Sequence, residues 1–175
     1  VYVAIGQDPE HGEGKGCLSC IDVTKMGDIS KSGIVWQYKD IERSISTVAI
    51  ADGLLYAADY SGRLHCLDAD TGKLKWHFQN IRHEIWDYNL PPAPGLIDIR
   101  KDGKTIPALA QVGKSGFMFI LNRENGTPVH GVDERPHPRH GSLPRSLVAD
   151  DAAFAYRLAA SLELRFDQSH EPGAG

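Results

Sequence analysis

No uninterrupted apolar stretch in these 175 residues approaches the roughly 18 that a membrane-crossing helix needs. Runs of basic residues are missing too. With a formal net charge of −4, the chain has no electrostatic footprint for nucleic acid or an anionic membrane surface. Cysteine is scarce: three residues make no disulfide framework. The spelling Cys17-x-x-Cys20 lies in the strand-like run "KGCLSCIDV", where positions three apart point to opposite faces. That pair therefore reads as small apolar residues of a sheet rather than a redox or metal site. There is no initiator Met. Val1 already stands inside the strand-like "VYVAIG", so no leader peptide is there to be read, and its absence says nothing about export. What is present is ordinary globular material, 41% hydrophobic and 24% charged, enough to bury a core.

The organising feature is an internal repeat. "LLYAADYSGRLHCLDADTGKLKW" (54–76) and "ALAQVGKSGFMFILNRENGTPV" (108–129) superpose at an offset of 54. That offset carries Ser61-Gly62 onto Ser115-Gly116, Leu67-Asp68 onto Leu121-Asn122, and Gly72 onto Gly126. A looser first copy begins at "VYVAIG", carries the insertion "QDPEHGEGK" and resumes at "GCLSCID". An offset of 46 places its Gly16, Leu18, Cys20 and Asp22 on Gly62, Leu64, Cys66 and Asp68, and it ends in "SGIVW", with Trp36 standing 40 residues before Trp76. Each unit reads as short strands of alternating apolar residues separated by Ser-Gly or Lys-Gly turns and by Asp/Asn-x-x-Thr/Asn-Gly turns. "STVAIADG" adds a strand before Leu54, and "RKDGK" reads as a hairpin turn signalled by Asp102-Gly103. In "LDADTG", Asp68 and Asp70 are placed to bond turn amides and Gly72 to take positive φ. Four antiparallel strands in about 40 residues is the size of one propeller blade. The expectation is an all-β chain: an incomplete β-propeller of about three four-stranded antiparallel blades, with Trp36 and Trp76 in equivalent positions between blades.

The unit "GRLHCLDADTGKLKWHF" resembles the tryptophan-docking repeat of the pyrroloquinoline quinone (PQQ) β-propeller proteins, whose pattern is Ala/Leu-x-Asp-x-x-Thr-Gly-x-x-x-Trp. The middle copy matches at Asp68, Thr71, Gly72 and Trp76. The first copy keeps Gly33 and Trp36 behind a longer loop, and the last keeps Asn125-Gly126 without a Trp. Residues 82 to about 136 are more specific. "RHEIWDYNLPPAPGL" (82–96) interrupts the repeat with Pro91, Pro92 and Pro94, which cannot continue a central strand. His83, Trp86, Asp87, Leu90 and Pro91, then Lys114, Gly116, Leu121 and Arg123, resemble the glucose-dehydrogenase-like branch of the PQQ-dependent dehydrogenases, with Glu84, Asn89 and Asn122 standing where that branch usually has Asp.

The resemblance implies oxidation of alcohols or sugars by hydride transfer to the quinone, PQQ and Ca²⁺ as cofactors, and a periplasmic or other extracytoplasmic setting. Carried over residue by residue, Asp87 falls on the general base and Lys114 on the partner of the quinone oxygens, with Trp86 and His83 shaping the cofactor corner. The chemistry suits these types, because alcohol oxidation needs a base for the hydroxyl proton and positive charge near the oxygen that gains electrons. Taken singly, Lys114 reads as a surface lysine and Asp87 as a turn cap; the joint motif and the repeat decide for function. Lys114 stands where the middle copy has Tyr60, and departures from a repeat are where function is grafted.

No metal ligands are assigned. His11, His137, His140 and the acidic Asp8, Glu10 and Glu13 read as solvated loop residues. The calcium ligands of the resemblance are expected on blades other than these. Residues 1–136 read as propeller blades, with a candidate join near residue 80, since 1–79 most resembles the non-dehydrogenase scaffold propellers of the superfamily and 82–136 the dehydrogenases. Residues 137–175 read as an unassigned tail, in which Phe154, Leu158 and Leu162 have helical spacing. Three blades do not close a ring, so further blades or a partner chain are expected, the alternatives being a catalytic fragment, a binding scaffold, or an open arc.

Overall fold

A computed structural model describes residues 1–8, 12–80 and 89–133. Val1–Val132 form one compact unit, and a second runs from Asp133 to Gly175, of which only Asp133 lies among the described residues. The helical spacing expected in the tail therefore lies outside them. The described residues hold ten strands and no helix: β1 Tyr2–Gly6, β2 Gly16–Ile21, β3 Ile34–Tyr38, β4 Ala49–Ala51, β5 Leu54–Ala58, β6 Arg63–Asp68, β7 Leu74–Gln79, β8 Gly95–Lys101, β9 Lys104–Val112 and β10 Met118–Asn122. They form three antiparallel sheets in the orders β1-β2-β3, β4-β5-β6-β7 and β10-β9-β8.

The repeat offsets are visible in the strand registers. Tyr2 faces Cys20 and Ala4 faces Leu18 in the first sheet, as Tyr56 faces Cys66 and Ala58 faces Leu64 in the second. Even an irregularity recurs: the register shifts after Cys20, opposite Trp36, and after Cys66, opposite Trp76. The tight turns follow from residue type. Asp52-Gly53 joins β4 to β5 and Asp102-Gly103 joins β8 to β9, all four residues having positive φ near 51–74°, the two-residue hairpin geometry that Asp-Gly favours. Asp68 accepts hydrogen bonds from the Thr71 amide (2.9 Å) and hydroxyl (2.8 Å), while Gly72 takes φ of 69°. These bonds and the nearby Lys75 ammonium pull the Asp68 carboxyl down to about 2.

Of the three sheets, the middle one has the full four strands. In the third, Asn122 accepts the Gly126 amide, but the chain then meets Pro128, which has no N–H to extend a ladder. The pairing there is a single bridge that sets Leu121 opposite Pro128, made by the Asn122 amide to the Thr127 carbonyl and the Val129 amide to the Ile120 carbonyl. In the first sheet, β4 has no counterpart. A finer correction concerns Gly33. The Asp22 amide bonds to the Gly33 carbonyl just as the Asp68 amide bonds to that of Lys73, so Gly33 occupies the position of Lys73 and not that of Gly72.

The middle sheet is covered on both faces, which is why β5 reads "LLYAA" rather than alternating apolar and polar. Leu55, Ala57 and Leu67 pack with Leu18, Tyr38 and Ile41 toward the first sheet. Tyr56, Ala58, Leu64 and Cys66 pack with Leu90, Leu109 and Leu121 toward the third. Each fully buried Leu contributes about 1.5–3 kcal/mol. Cys66 is one of these packing residues; burial pushes its thiol up to about 12, out of the reactive range. Cys17 and Cys20 are free, with Cys17 beside Ser19 on one face and Cys20 across from Trp36 on the other.

Both tryptophans dock in the same way. The Trp36 indole N–H and the Tyr2 hydroxyl donate to the Ala69 carbonyl, each at 3.0 Å. The Trp76 indole N–H and the Tyr56 hydroxyl donate to the Arg123 carbonyl at 3.2 and 2.9 Å. The two ring pairs have centroids 5.7 and 5.9 Å apart. A β-carbon at Gly72 would lie 2.5 Å from the Trp36 ring and one at Gly126 2.6 Å from the Trp76 ring, so each turn needs glycine both for its φ and for the indole lying on it.

Candidate active site

The hairpin from β9 to β10 carries the second half of the motif, and its residues divide by task. Leu121 is buried core. Gly116 takes φ of 80° in the turn, where its amide bonds to the Gly113 carbonyl at 3.1 Å. Arg123 works at the other end of β10, where its guanidinium meets Asp52 of the second sheet at 2.9 Å and Asp98 of β8 at 3.2 Å. Those carboxylates are exposed, so the pairs contribute little energy. Their effect is to tie the third sheet's turn to the second sheet. Lys114 stands at the β9–β10 turn with its side chain exposed and its amide bonded to the Asn89 carbonyl at 3.2 Å.

The equivalent turn of the middle sheet shows what Lys114 replaces. There the Tyr60 amide bonds to the Arg43 carbonyl at 2.9 Å, and the Arg43 guanidinium lies 5.1 Å above the Tyr60 ring. Beside Tyr60 is a buried polar network that sequence reasoning missed. The Asp59 carboxylate accepts from the Ser61 amide and hydroxyl, the Arg63 amide and the Glu42 amide. It also meets His65 Nε2 at 2.9 Å, while His65 Nδ1 lies 3.2 Å from the Tyr38 hydroxyl. Asp59 and His65 are 0% and 1% exposed. Burial alone raises the Asp59 pKa, but the bonds from His65, Ser61 and Glu42 outweigh it and hold the carboxyl below its ordinary value. One arrangement satisfies every group: Tyr38 donates to Nδ1, and Nε2–H donates to Asp59. In the third unit Gly113 and Phe119 stand at the offset positions of Asp59 and His65. The acid is therefore absent from the Lys114 turn at the position Asp59 holds.

His83, Trp86 and Asp87 lie outside the described residues. The residues on either side of that segment are described. The Asn80 amide bonds to the Gly62 carbonyl at 2.8 Å, and the Asn89 carbonyl takes the Lys114 amide; both anchors sit at the turn ends of their sheets. Asn89 is 2% exposed and Leu90 1%. A neutral amide suits that burial better than the Asp usual in the motif.

Of the other candidates, Asp8 pairs with Arg43 at 3.4 Å and Glu13 with Lys15, while His11, Glu10, His137 and His140 lie outside the described residues. Among the described residues no group of three or more His, Cys, Asp or Glu is placed to hold a metal, and no helix is long and apolar enough to cross a membrane. A shallow hollow of about 340 Å³ is lined by Lys101, Lys104, Ile106, Asn122 and Pro128. It opens at the Lys104 end of β9, about 26 Å along the strand from the Lys114 turn, and takes no part in this site.

Antiparallel sheets of up to four strands, docked face to face through a tryptophan lying on a turn glycine, define the class: the sheets of a β-propeller. Residues 55–152 match the model of the family described as "PQQ: Glucose/ethanol/alcohol dehydrogenase, beta-propeller domain", and the chain belongs to that family. Quinoprotein glucose dehydrogenase A of Acinetobacter calcoaceticus is 42% identical over 81 residues, covering 46% of this chain and 10% of that protein. The quinate/shikimate dehydrogenase (quinone) of Acinetobacter baylyi is 40% identical over 94 residues, covering 52% of this chain and 12% of its own length. The chain thus spans about a tenth of the length of such relatives. Among solved structures, a europium-containing methanol dehydrogenase superposes with a TM-score of 0.47 at 19% identity, over 73% of this chain and 22% of that one.

Proposed function

We propose that this chain supplies the base and the quinone-facing cation of a PQQ-dependent dehydrogenase acting on alcohols or sugars. The observation that carries the reading is the substitution of the middle sheet's Tyr60, Asp59 and His65 by Lys114, Gly113 and Phe119 at one strand end, the end to which Asn89 is bonded. A cation stands there in place of an aromatic ring, and the buried Asp59–His65 pair of the middle sheet is replaced by Gly113 and Phe119.

When bound, PQQ supplies an electrophilic carbonyl that accepts hydride. The chain's own part is electrostatic and acid–base. Asp87 takes the substrate hydroxyl proton, and the Lys114 ammonium stabilises the oxygen that becomes negative. Trp86 and His83 are assigned with Asp87 to the cofactor corner from the motif, and Pro91, Pro92 and Pro94 stand between that motif and β8. No residue of this chain is assigned to calcium. Further propeller blades or a partner chain complete the ring, and the reading carries with it an extracytoplasmic location.

The test is a graft. Residues 79–133 replace the matching stretch of quinoprotein glucose dehydrogenase A, and dye-linked turnover and PQQ binding are measured. Asp87→Asn is expected to lower turnover by about 10²–10⁴-fold with PQQ binding retained, because the amide keeps the shape but takes no proton. Lys114→Ala is expected to weaken both. Undiminished turnover in the Asp87→Asn graft would refute the assignment.

A further inference from the structure

Gln111 is the least expected residue of the third sheet's core. It lies on β9 at 0% exposure, at the offset position of Ala57, which is small, apolar and buried in the middle sheet. Its side-chain Nε2 donates to two carbonyls, Pro92 at 3.2 Å and Val112 at 2.9 Å. Two carbonyls at one end of the amide fix which end is nitrogen. The other end, Oε1, is buried without a hydrogen-bond partner. An unsatisfied buried acceptor is costly, so a residue needed only to fill space there would be better as Leu or Met. The polar group is kept for its donors.

The need for donors comes from the corner. Pro91, Pro92 and Pro94 have no N–H, so the segment that leads out of the proposed site is short of donors of its own and takes bonds from its neighbours. Two such bonds are present. The Asn89 carbonyl accepts from the Lys114 backbone amide and the Pro92 carbonyl from the Gln111 side-chain Nε2. The acceptors are three residues apart on one segment, and so are the donors on the other. One bond would leave the corner free to pivot; two at that spacing fix its tilt against the turn.

We propose that Gln111 is a positioning residue of the quinone site, clamping the Asn89–Pro92 corner to the strand end that presents Lys114. This rests on the functional reading above and goes beyond it by naming the residue that, with the Lys114 amide, ties the Asn89–Pro92 segment to the turn. Gln111 acts through the corner and the turn.

The experiment uses the 175-residue chain as wild type and as Gln111→Met, which keeps the bulk and removes the donors. Amide hydrogen exchange is followed at Lys114 and at Tyr60, whose bond to Arg43 is the middle sheet's equivalent, and PQQ is titrated by absorbance into the graft described above with and without Gln111→Met. Gln111→Met is expected to speed exchange at Lys114 about tenfold, the loss of roughly one net hydrogen bond, with Tyr60 unchanged. PQQ affinity is expected to fall by a similar factor, with a shifted absorption maximum for the bound quinone. A folded Gln111→Met chain with unchanged Lys114 protection, or with unchanged PQQ affinity and spectrum, overturns the proposal. If the variant loses Tyr60 protection as well and so does not fold, the wild-type Gln111 Nε2 protons decide. Slow exchange supports the clamp, and exchange at the rate of a solvated amide overturns it. Absence of PQQ binding by the graft without the substitution overturns the quinone site and Gln111's place in it, whereas the exchange data report separately on the clamp.

Discussion

Between the first and second sheets, Tyr38 meets His65 edge-on with ring centroids 5.6 Å apart; between the second and third, Phe78 meets Phe119 at 5.7 Å. The backbone frame and the ring spacing are shared, and the chemistry is exchanged. The polar junction ends in Asp59, which gathers four backbone and hydroxyl donors and His65. The apolar one ends in Gly113, Lys114 and the clamped corner. At the other end of the same strands the docking is shared: a Tyr hydroxyl and a Trp indole donate to one carbonyl, over one glycine, at both junctions. One end of the stack is thus fixed by docking, and the other varies from unit to unit. In a repeat the varying end is where a site can be built without disturbing assembly.

The docking end should give the largest effects, and equal ones. Trp36→Ala and Trp76→Ala are each expected to destabilise the chain by about 3–5 kcal/mol in urea denaturation, and a difference above about 1 kcal/mol would break the equivalence of the junctions. Next come the rings at the varying end. Tyr38→Phe with His65→Phe copies the apolar junction into the polar one but strips Asp59 of a donor, so a loss of about 1–3 kcal/mol is expected. The reverse change, Phe119→His, introduces a polar ring with no Asp59 equivalent, and its loss should be at least as large in the same assay.

A smaller effect separates the junctions by pH. The Asp59 carboxyl is more acidic folded than unfolded, so its contribution is complete above about pH 4 and is lost as pH falls through the folded value. Exchange of the Glu42 amide, bonded to Asp59, should therefore accelerate in acid before that of Lys114, whose acceptor is a backbone carbonyl. Simultaneous loss would show that the carboxylate does not anchor the polar junction. The smallest effect is at Asp68→Asn. The third sheet already uses Asn122 there, with its side-chain Oδ1 on the Glu124 amide at 2.8 Å, so thermal denaturation should shift little, and by less at pH 2 than at pH 7, since the depressed carboxyl is fully ionised only at the higher pH.

The docking end was the legible part. Its turns demand particular residues, Gly for positive φ and Asp or Asn to bond amides, so a fixed offset exposes them in the sequence. Lys114 was legible for a related reason, as a cation in an aromatic's place. The Asp59–His65–Tyr38 network was not, because its members come from two sheets and meet only once the hairpin register is set. Gln111 left a trace, a polar residue at an apolar offset position, but its role depends on carbonyls that no residue type announces. Gly33 was misplaced by one position because the long loop before it leaves the register open until the Asp22 amide chooses its partner.

The most direct test sets the two turns against each other. PQQ is titrated into a graft of residues 54–133 in quinoprotein glucose dehydrogenase A, whose other blades complete the ring, and into its Lys114→Ala and Tyr60→Ala variants, and affinity is read from quinone absorbance. Saturable binding that weakens about tenfold or more in Lys114→Ala and is unchanged in Tyr60→Ala is the expected result. Equal weakening by both, or by neither, would contradict a site built at the third unit's turn.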